Sequence, residues 1–280
     1  MQTKNRKIGK YLIKNKIAEG GMGAIYKATH PTLKKDVILK KLTLRGNSAI
    51  VERFKREAQL MLEFSNDNIV QVYDHFREGS SYYIVMEYID GISLAKLIEK
   101  KRFLPNETAL LIFREVCKAL HYAHAKGVIH RDIKPDNVLI SKSGEVKLTD
   151  FGIARSEDCD EECLTSAGMT LGTPTYMSPE QIDDSSKVDR RSDIYSMGVV
   201  LYVMTTGKSP FPSNLVPQTI NAIQKGKYIR PEKLNPQIFS IIKRIVKKSM
   251  HCKIKRRAFT RFTFHPDFSF IFTYKFFAEE

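Results

Sequence analysis

The sequence predicts an α+β protein in two parts, a small β-rich part containing one helix and a larger, mainly helical part. Three observations carry this. Between Tyr11 and about Tyr88, short apolar β-prone stretches alternate with Gly, Pro or Asn punctuation. Within that region a single segment changes to helical spacing. From Ser93 onward helical periodicity dominates.

Taken in order, the strand-like stretches are 11–13, 24–28, 37–42, 70–76 and 82–87. Ile50, Phe54, Ala58, Met61 and Leu62 recur on one helical face, which places Glu57 inside an amphipathic helix of about four turns. A join near Tyr88 to Gly91 leads into the helical part, typified by the apolar periodicity of 109–123. The expected division is 1–88, 89–258 and an atypical tail, 259–280, with no internal repeat. That tail holds eight of the sixteen phenylalanines, spaced closer to alternation than to a helix, and reads either as a packed edge strand or as an aggregation-prone segment.

Composition narrows the function classes. A chain of 280 residues with 42% hydrophobic and 28% charged residues is ordinary globular usage, which excludes disordered, collagenous and disulfide-miniprotein readings. Four scattered cysteines point to a reducing compartment, and a cytoplasmic location is expected. The one close pair, Cys159 and Cys163, lies in the acidic run Glu157-Asp158-Cys159-Asp160-Glu161-Glu162-Cys163. With no second Cys/His pair at zinc spacing, it reads as a solvated loop rather than a metal site. The net charge of +15 is carried by the ends: 1–16 and 233–266 hold sixteen Lys/Arg and no acid, leaving 30 basic and 31 acidic residues elsewhere. Basic ends on a neutral body argue against nucleic-acid binding. The basic start runs into a mixed segment rather than an apolar one, unlike a signal peptide, and the longest apolar run, 197–204, is too short for a membrane span.

Three segments carry chemistry. Glu19-Gly20-Gly21-Met22-Gly23-Ala24-Ile25, between two strand-like stretches, is either a glycine turn that lets backbone amides approach phosphate or a plain hairpin turn. Val37-Ile38-Leu39-Lys40 puts a lysine at the end of an apolar strand, where its charge must reach water or a partner, and Glu57 is the candidate partner. The strongest segment is His130-Arg131-Asp132-Ile133-Lys134-Pro135-Asp136-Asn137, followed by Thr149-Asp150-Phe151-Gly152. It supplies a carboxylate able to orient a hydroxyl, a lysine able to neutralise a transferring phosphoryl group, and two hard oxygen donors, Asn137 and Asp150, suited to Mg²⁺.

With these residues the sequence resembles the protein-kinase family, in particular the bacterial serine/threonine protein kinases of the eukaryotic-like (Hanks) type. His130 to Asn137 matches the H-R-D-x-x-x-x-N loop, Asp150 to Gly152 is D-F-G, and Ser178-Pro179-Glu180 stands where A-P-E is expected. Gly20-Gly21-Met22-Gly23 and the stretch 172–181 look like the bacterial branch, and the match runs from about Ile8 to about Arg257. The resemblance implies a bilobal protein-kinase-like fold, ATP with Mg²⁺ (or Mn²⁺) as cofactors, and transfer of the γ-phosphoryl of ATP to protein Ser/Thr hydroxyls. Residue by residue, it implies that Ile17, Ala18, Glu19, Gly20, Gly21, Met22, Gly23, Ala24 and Ile25 cover the ATP phosphates and that Lys40 holds them while paired with Glu57. Asp132 and Lys134 would act on the hydroxyl and the γ-phosphoryl, Asn137 and Asp150 would bind the metal, and Lys134 favours Ser/Thr over Tyr. Met86 falls at the gatekeeper position, with Glu87 and Tyr88 as the hinge that meets adenine. Asp193 resembles the helix aspartate that supports the catalytic loop.

The resemblance also implies regulation. Phosphate on the loop between Asp150 and Glu180 would pair with Arg131, with Thr165, Thr170 and Ser166 as candidate acceptors and Thr173 bonded instead to Asp132 and Lys134. The opposing reading is ordinary loop composition. A homodimer formed through the small lobe is a further expectation of the resemblance.

Four features depart from the family pattern. Ala18 replaces the first glycine, which would cost on the order of 1 kcal/mol if that position needs positive φ. Ile38 replaces an alanine and should narrow the adenine pocket, and Val203 replaces a glutamate. Arg256 or Arg257 is available to pair with Glu180, but no closing helix is recognisable in the Phe-rich tail, which reads as a divergent cap or the product of a shifted frame. The alternative to an active kinase is therefore a catalytically impaired nucleotide-binding scaffold. A small-molecule kinase of related fold fits less well with an activation segment ending in Ser178-Pro179-Glu180.

Overall fold

The computed structural model describes residues 6–20, 23–42, 48–151, 174–184, 188–211 and 215–257. The chain divides into two compact units, the first made mainly of residues 1–91 and the second mainly of 92–152 and 157–280.

The first unit is a six-stranded antiparallel sheet in the order β1-β2-β3-β4-β6-β5. Its strands are β1 (Lys7–Ile8), β2 (Tyr11–Gly20), β3 (Gly23–Thr29), β4 (Asp36–Leu42), β5 (Val72–Glu78) and β6 (Ser81–Glu87). The five expected stretches fall on five of these strands, with β2 and β3 running up to the glycines at 20 and 23. Period-two alternation gives the sheet two distinct faces. Ala24, Tyr26, Ala28, Val37, Leu39, Tyr83 and Val85 form one buried cluster with Ile8 and Tyr11, against which Phe76 packs. Phe76 stacks between Tyr11 (5.8 Å) and Tyr83 (5.1 Å). Helix α1 (Ser48–Leu62) packs against β5 and buries Ala58 and Met61, as its apolar spacing predicts.

The second unit begins with β7 (Gly91–Ser93), which joins β8 (Val138–Ser141) and β9 (Val146–Leu148) in a three-stranded sheet, followed in sequence by α2 (Leu94–Lys101) and α3 (Asn106–Ala125). Helix α3 turns Ala109, Phe113, Val116, Leu120 and Ala123 inward. The remaining α-helices among the described residues are α4 (Pro179–Asp183), α5 (Arg190–Thr206), α6 (Val216–Gln224), α7 (Pro231–Leu234) and α8 (Ser240–Ser249). Every residue of α5 from Ser192 to Thr206 is buried, so this helix is surrounded, with α3 and α8 packed against it, and its run 197–204 is apolar on every side. Gly198 allows the α8 contact, since a Cβ there would sit 1.9 Å from Ser249 Oγ. The sequence's longest apolar run thus forms a core helix, and among the described residues no helix is long and apolar enough to cross a membrane. The Phe-rich tail lies outside the described residues.

Candidate functional site

The site residues fall into two groups, one in each unit. In the first unit, the sheet face opposite the buried aromatic cluster carries Ile25, Lys27, Ile38 and Lys40, all half-buried. Register explains the grouping: Ile25 lies opposite Lys40 and Lys27 opposite Ile38 across β3 and β4, and Lys40 and Ile38 in turn lie opposite Ile84 and Met86 on β6. Glu57 is half-buried on α1.

The glycine-rich segment has a structural component that sequence alone leaves open. Gly23 has φ of 150°, and a Cβ there would stand 1.9 Å from the Lys41 carbonyl oxygen, so this glycine is required by the approach of β3 to β4. Ile17, Ala18 and Glu19 are exposed on β2, and Glu19 forms an ion pair with Lys16 (2.5 Å). Ala18 pairs with Ile25 across the β2–β3 hairpin and is absent from the positive-φ residues, so the strain anticipated for its methyl group does not arise. Gly21 and Met22 lie outside the described residues. At the far end of β6, Met86 is buried, and Glu87 is tied to Gln71, donating its N–H to the Gln71 carbonyl (2.9 Å) and accepting from the Gln71 N–H on Oε2 (3.3 Å).

The second unit holds the polar loop 130–137. Its geometry is set by Asp193, buried on α5, whose carboxylate accepts from the His130 N–H (2.9 Å), the Arg131 N–H (2.9 Å) and His124 Nε2 (2.7 Å). Arg131 has φ of 65°, a conformation that a non-glycine residue holds only when its surroundings impose it. Those surroundings are the Asp193 carboxylate on its N–H and Gln181 Nε2 on its carbonyl (2.8 Å). His130 is fully buried. Burial, the largest influence, lowers its pKa against the pull of nearby carboxylates. The neutral ring suits its two contacts, Nε2 toward the Thr149 carbonyl (2.9 Å) and Nδ1 accepting from the Asp132 N–H (3.2 Å).

That frame aims Asp132. Its Oδ2 accepts from Lys134 Nζ (2.8 Å) and from Asn137 Nδ2 (3.1 Å), which also bonds the Asp132 carbonyl (2.7 Å). The Asn137 carbonyl accepts from the Thr149 N–H (2.9 Å), drawing Asn137 to the residue that precedes Asp150. Asp150 itself holds φ of 60°, and Phe151 packs 4.5 Å from the His130 ring. Because the Asn137 amide donates to Asp132, its oxygen is the end that suits a cation, and with the Asp150 carboxylate it offers hard donors to a divalent ion. Among the described residues no cluster of three or more His, Cys, Asp or Glu could hold a metal alone. Two protein donors, completed by the phosphates of a nucleotide, fit Mg²⁺ chemistry.

Glu180 anchors the segment after the loop. Arg257, wholly buried, meets its two oxygens at 2.6 and 2.7 Å, and Ser192 Oγ donates to it at 2.6 Å. The guanidinium also bonds the carbonyls of His251 (2.6 Å) and Cys252 (3.1 Å) and lies 4.9 Å from the Tyr195 ring centroid. Of the two expected arginines, Arg257 takes this role and Arg256 is exposed. Gln181, His124 and Ser192 are supporting residues that the motif reading missed. For Gln181 the signal was present, since Ser178 and Gln181 form a capping box at the start of α4. Gly152, Thr165, Ser166, Thr170 and Thr173 lie outside the described residues, as do Cys159 and Cys163.

A family model described as the protein kinase domain matches residues 11–266. The chain is 40% identical over 237 residues to a probable serine/threonine-protein kinase of Clostridium perfringens, covering 84% of this chain and 34% of that protein. It is 39% identical over 204 residues to the serine/threonine-protein kinase PknL of Mycobacterium tuberculosis (72% and 50%) and 37% identical over 254 residues to the probable serine/threonine-protein kinase PknB of Lactococcus lactis (89% and 40%). The chain therefore spans between about a third and a half of these relatives. Among solved structures, Rad53 1-466 in complex with AMP-PNP matches with a TM-score of 0.75 and 26% identity, over 89% of this chain and 62% of that one.

Proposed function

The chain belongs to the protein kinase domain family, on its bacterial serine/threonine side, and from that premise we propose that it transfers the γ-phosphoryl group of ATP to serine and threonine hydroxyls of proteins, its own activation loop included. The family uses ATP and a divalent cation, here Mg²⁺, with Mn²⁺ as a substitute. The observation that supports the reading best is Asp132, held by Lys134 and Asn137 on a loop fastened at both sides of Arg131.

In this reading residues 1–88 bind the nucleotide and 89–258 carry the catalytic loop. Ile17 to Ile25 cover the phosphates, Lys40 holds them with Glu57 as its partner, and Glu87 and Tyr88 meet the adenine. Asn137 and Asp150 would hold the divalent metal, which when bound would supply positive charge against the phosphates. Asp132 orients the attacking hydroxyl and takes its proton as the new O–P bond forms and the bond to the ADP oxygen breaks, while Lys134 offsets charge on the transferring group. Phosphate on Thr165, Ser166 or Thr170 would pair with Arg131 and order the loop. Protein substrates, a homodimer, a cytoplasmic location and no nucleic-acid partner complete the proposal.

The test is incubation with γ-labelled ATP, Mg²⁺ and a Ser/Thr-containing acceptor protein beside an Asp132→Asn variant. Label on the acceptor that disappears in the variant, with ATP binding retained, is expected. Equal labelling by both proteins would remove Asp132 from the chemistry.

A further inference from the structure

Lys27 is a charged residue that the motifs do not use. It stands on the half-buried face of β3, level with Ile38, and Lys40 lies two residues beyond Ile38 on the neighbouring strand, about 6.6 Å further along it at the usual strand rise. Its Nζ is held by Asp36 Oδ2 at 2.9 Å, and Asp36 in turn accepts on Oδ1 from Lys14. The same Nζ lies 3.6 Å from the centroid of the Tyr88 ring, and only 21% of the Lys27 side chain is exposed. Tyr88 follows the end of β6, in the segment expected to meet adenine. An ammonium anchored on one side by a carboxylate and pressed on the other against an aromatic face fixes the rotation of that ring. A lysine chosen only for solubility would extend into water instead.

We infer that Lys27, anchored by Asp36, is a positioning residue for the nucleotide: it holds the Tyr88 ring, and with it the backbone that meets the base, in one orientation. This rests on the nucleotide-binding reading above. Ordering that segment before ATP arrives removes part of the cost of ordering it on binding, so its loss appears in ATP affinity. The phosphoryl-transfer residues are untouched by it.

The test measures the dissociation constant for ATP, by displacement of a fluorescent ATP analogue, together with turnover against a Ser/Thr-containing acceptor protein. The proteins are wild type, Lys27→Met, Lys27→Arg, Tyr88→Leu and the Lys27→Met/Tyr88→Leu double variant. Lys27→Met is expected to weaken ATP roughly threefold to tenfold, the size of a part-exposed cation–π contact, with turnover at saturating ATP kept. Lys27→Arg should restore most of the affinity, and in the Tyr88→Leu background Lys27→Met should have no further effect. ATP affinity unchanged in Lys27→Met overturns the inference while leaving the kinase reading intact. A loss of equal size in the Tyr88→Leu background also overturns it, because Lys27 would then act on the ligand directly. If wild type neither binds ATP nor labels the acceptor, both the inference and the proposed function fall.

Discussion

Replacing Arg257 by Met should destabilise the second unit more than any other single loss of a polar contact described here. The guanidinium is 0% exposed and its partner Glu180 is 13% exposed, so removing the arginine leaves a carboxylate that water rehydrates only in small part. Removing one member of such a pair costs about 3–5 kcal/mol, equivalent to a fall in Tm of about 6–20 °C for a unit of this size. Glu180→Gln should cost less, because the guanidinium keeps the His251, Cys252 and Arg191 carbonyls. The double variant should recover at least about 1 kcal/mol relative to the sum of the singles, the signature of direct coupling. The chain has no tryptophan, so urea unfolding is followed by far-UV circular dichroism. Acid supplies an independent arm. Burial is the largest influence on the Glu180 pKa and pushes it up, but the hydrogen bonds from Arg257 and Ser192 and the guanidinium charge prevail, leaving it below the ordinary 4.5. A carboxylate depressed in the folded state contributes stability above its unfolded pKa and loses it as pH falls through the folded value. Wild type should therefore lose stability below about pH 4.5 more steeply than Glu180→Gln. Arg257→Met within about 0.5 kcal/mol of wild type, or strictly additive losses in the double variant, would refute the argument.

Asp193→Asn replaces a carboxylate that accepts three hydrogen bonds with an amide that must turn donors toward donors. Turnover should fall at least about tenfold with ATP affinity kept, since charge-assisted bonds of about 1.5–3 kcal/mol each set the loop that carries Asp132; steady-state kinetics beside ATP titration reads this. Gly23→Ala should destabilise the first unit by more than about 1 kcal/mol in urea melts, with weaker ATP binding, because its methyl would lie 1.9 Å from the Lys41 carbonyl oxygen.

Much of this arrangement was legible in the sequence because the chemistry is local. Asp132, Lys134 and Asn137 sit within six residues, and with the short helical turn Pro135–Asn137 folding the segment back, the lysine and the asparagine can both reach the Asp132 carboxylate as they do. The sheet strands were legible because apolar alternation marks a face buried on one side only. Longer-range devices were legible only through the family resemblance, which pointed to Asp193 under the loop and to Arg256 or Arg257 for Glu180. That Arg131 adopts a left-handed conformation depends on Asp193, 62 positions away, and on Gln181, 50 away, and neither distance leaves a periodic trace. Choosing between Arg256 and Arg257 needed the short helical turn at 254–257, which directs adjacent side chains apart and buries only the second. Ala18 shows a condition that only the backbone settles, since its methyl would be costly only at positive φ. A family pattern puts glycine there, but β2 holds the residue as an ordinary strand position opposite Ile25. The half-buried face carrying Lys27 and Lys40 was only partly legible, because a single lysine in a strand gives no sign of which aromatic ring it will cover.

The most direct test of the account is phosphosite mapping by mass spectrometry after wild type and Asp132→Asn are each incubated with Mg²⁺ and ATP. The account predicts phosphate on Ser or Thr between Asp150 and Glu180 in wild type, at Thr165, Ser166 or Thr170, and none in the variant. A wild-type chain that is folded and binds ATP yet carries no phosphate, and labels no acceptor protein, would contradict it.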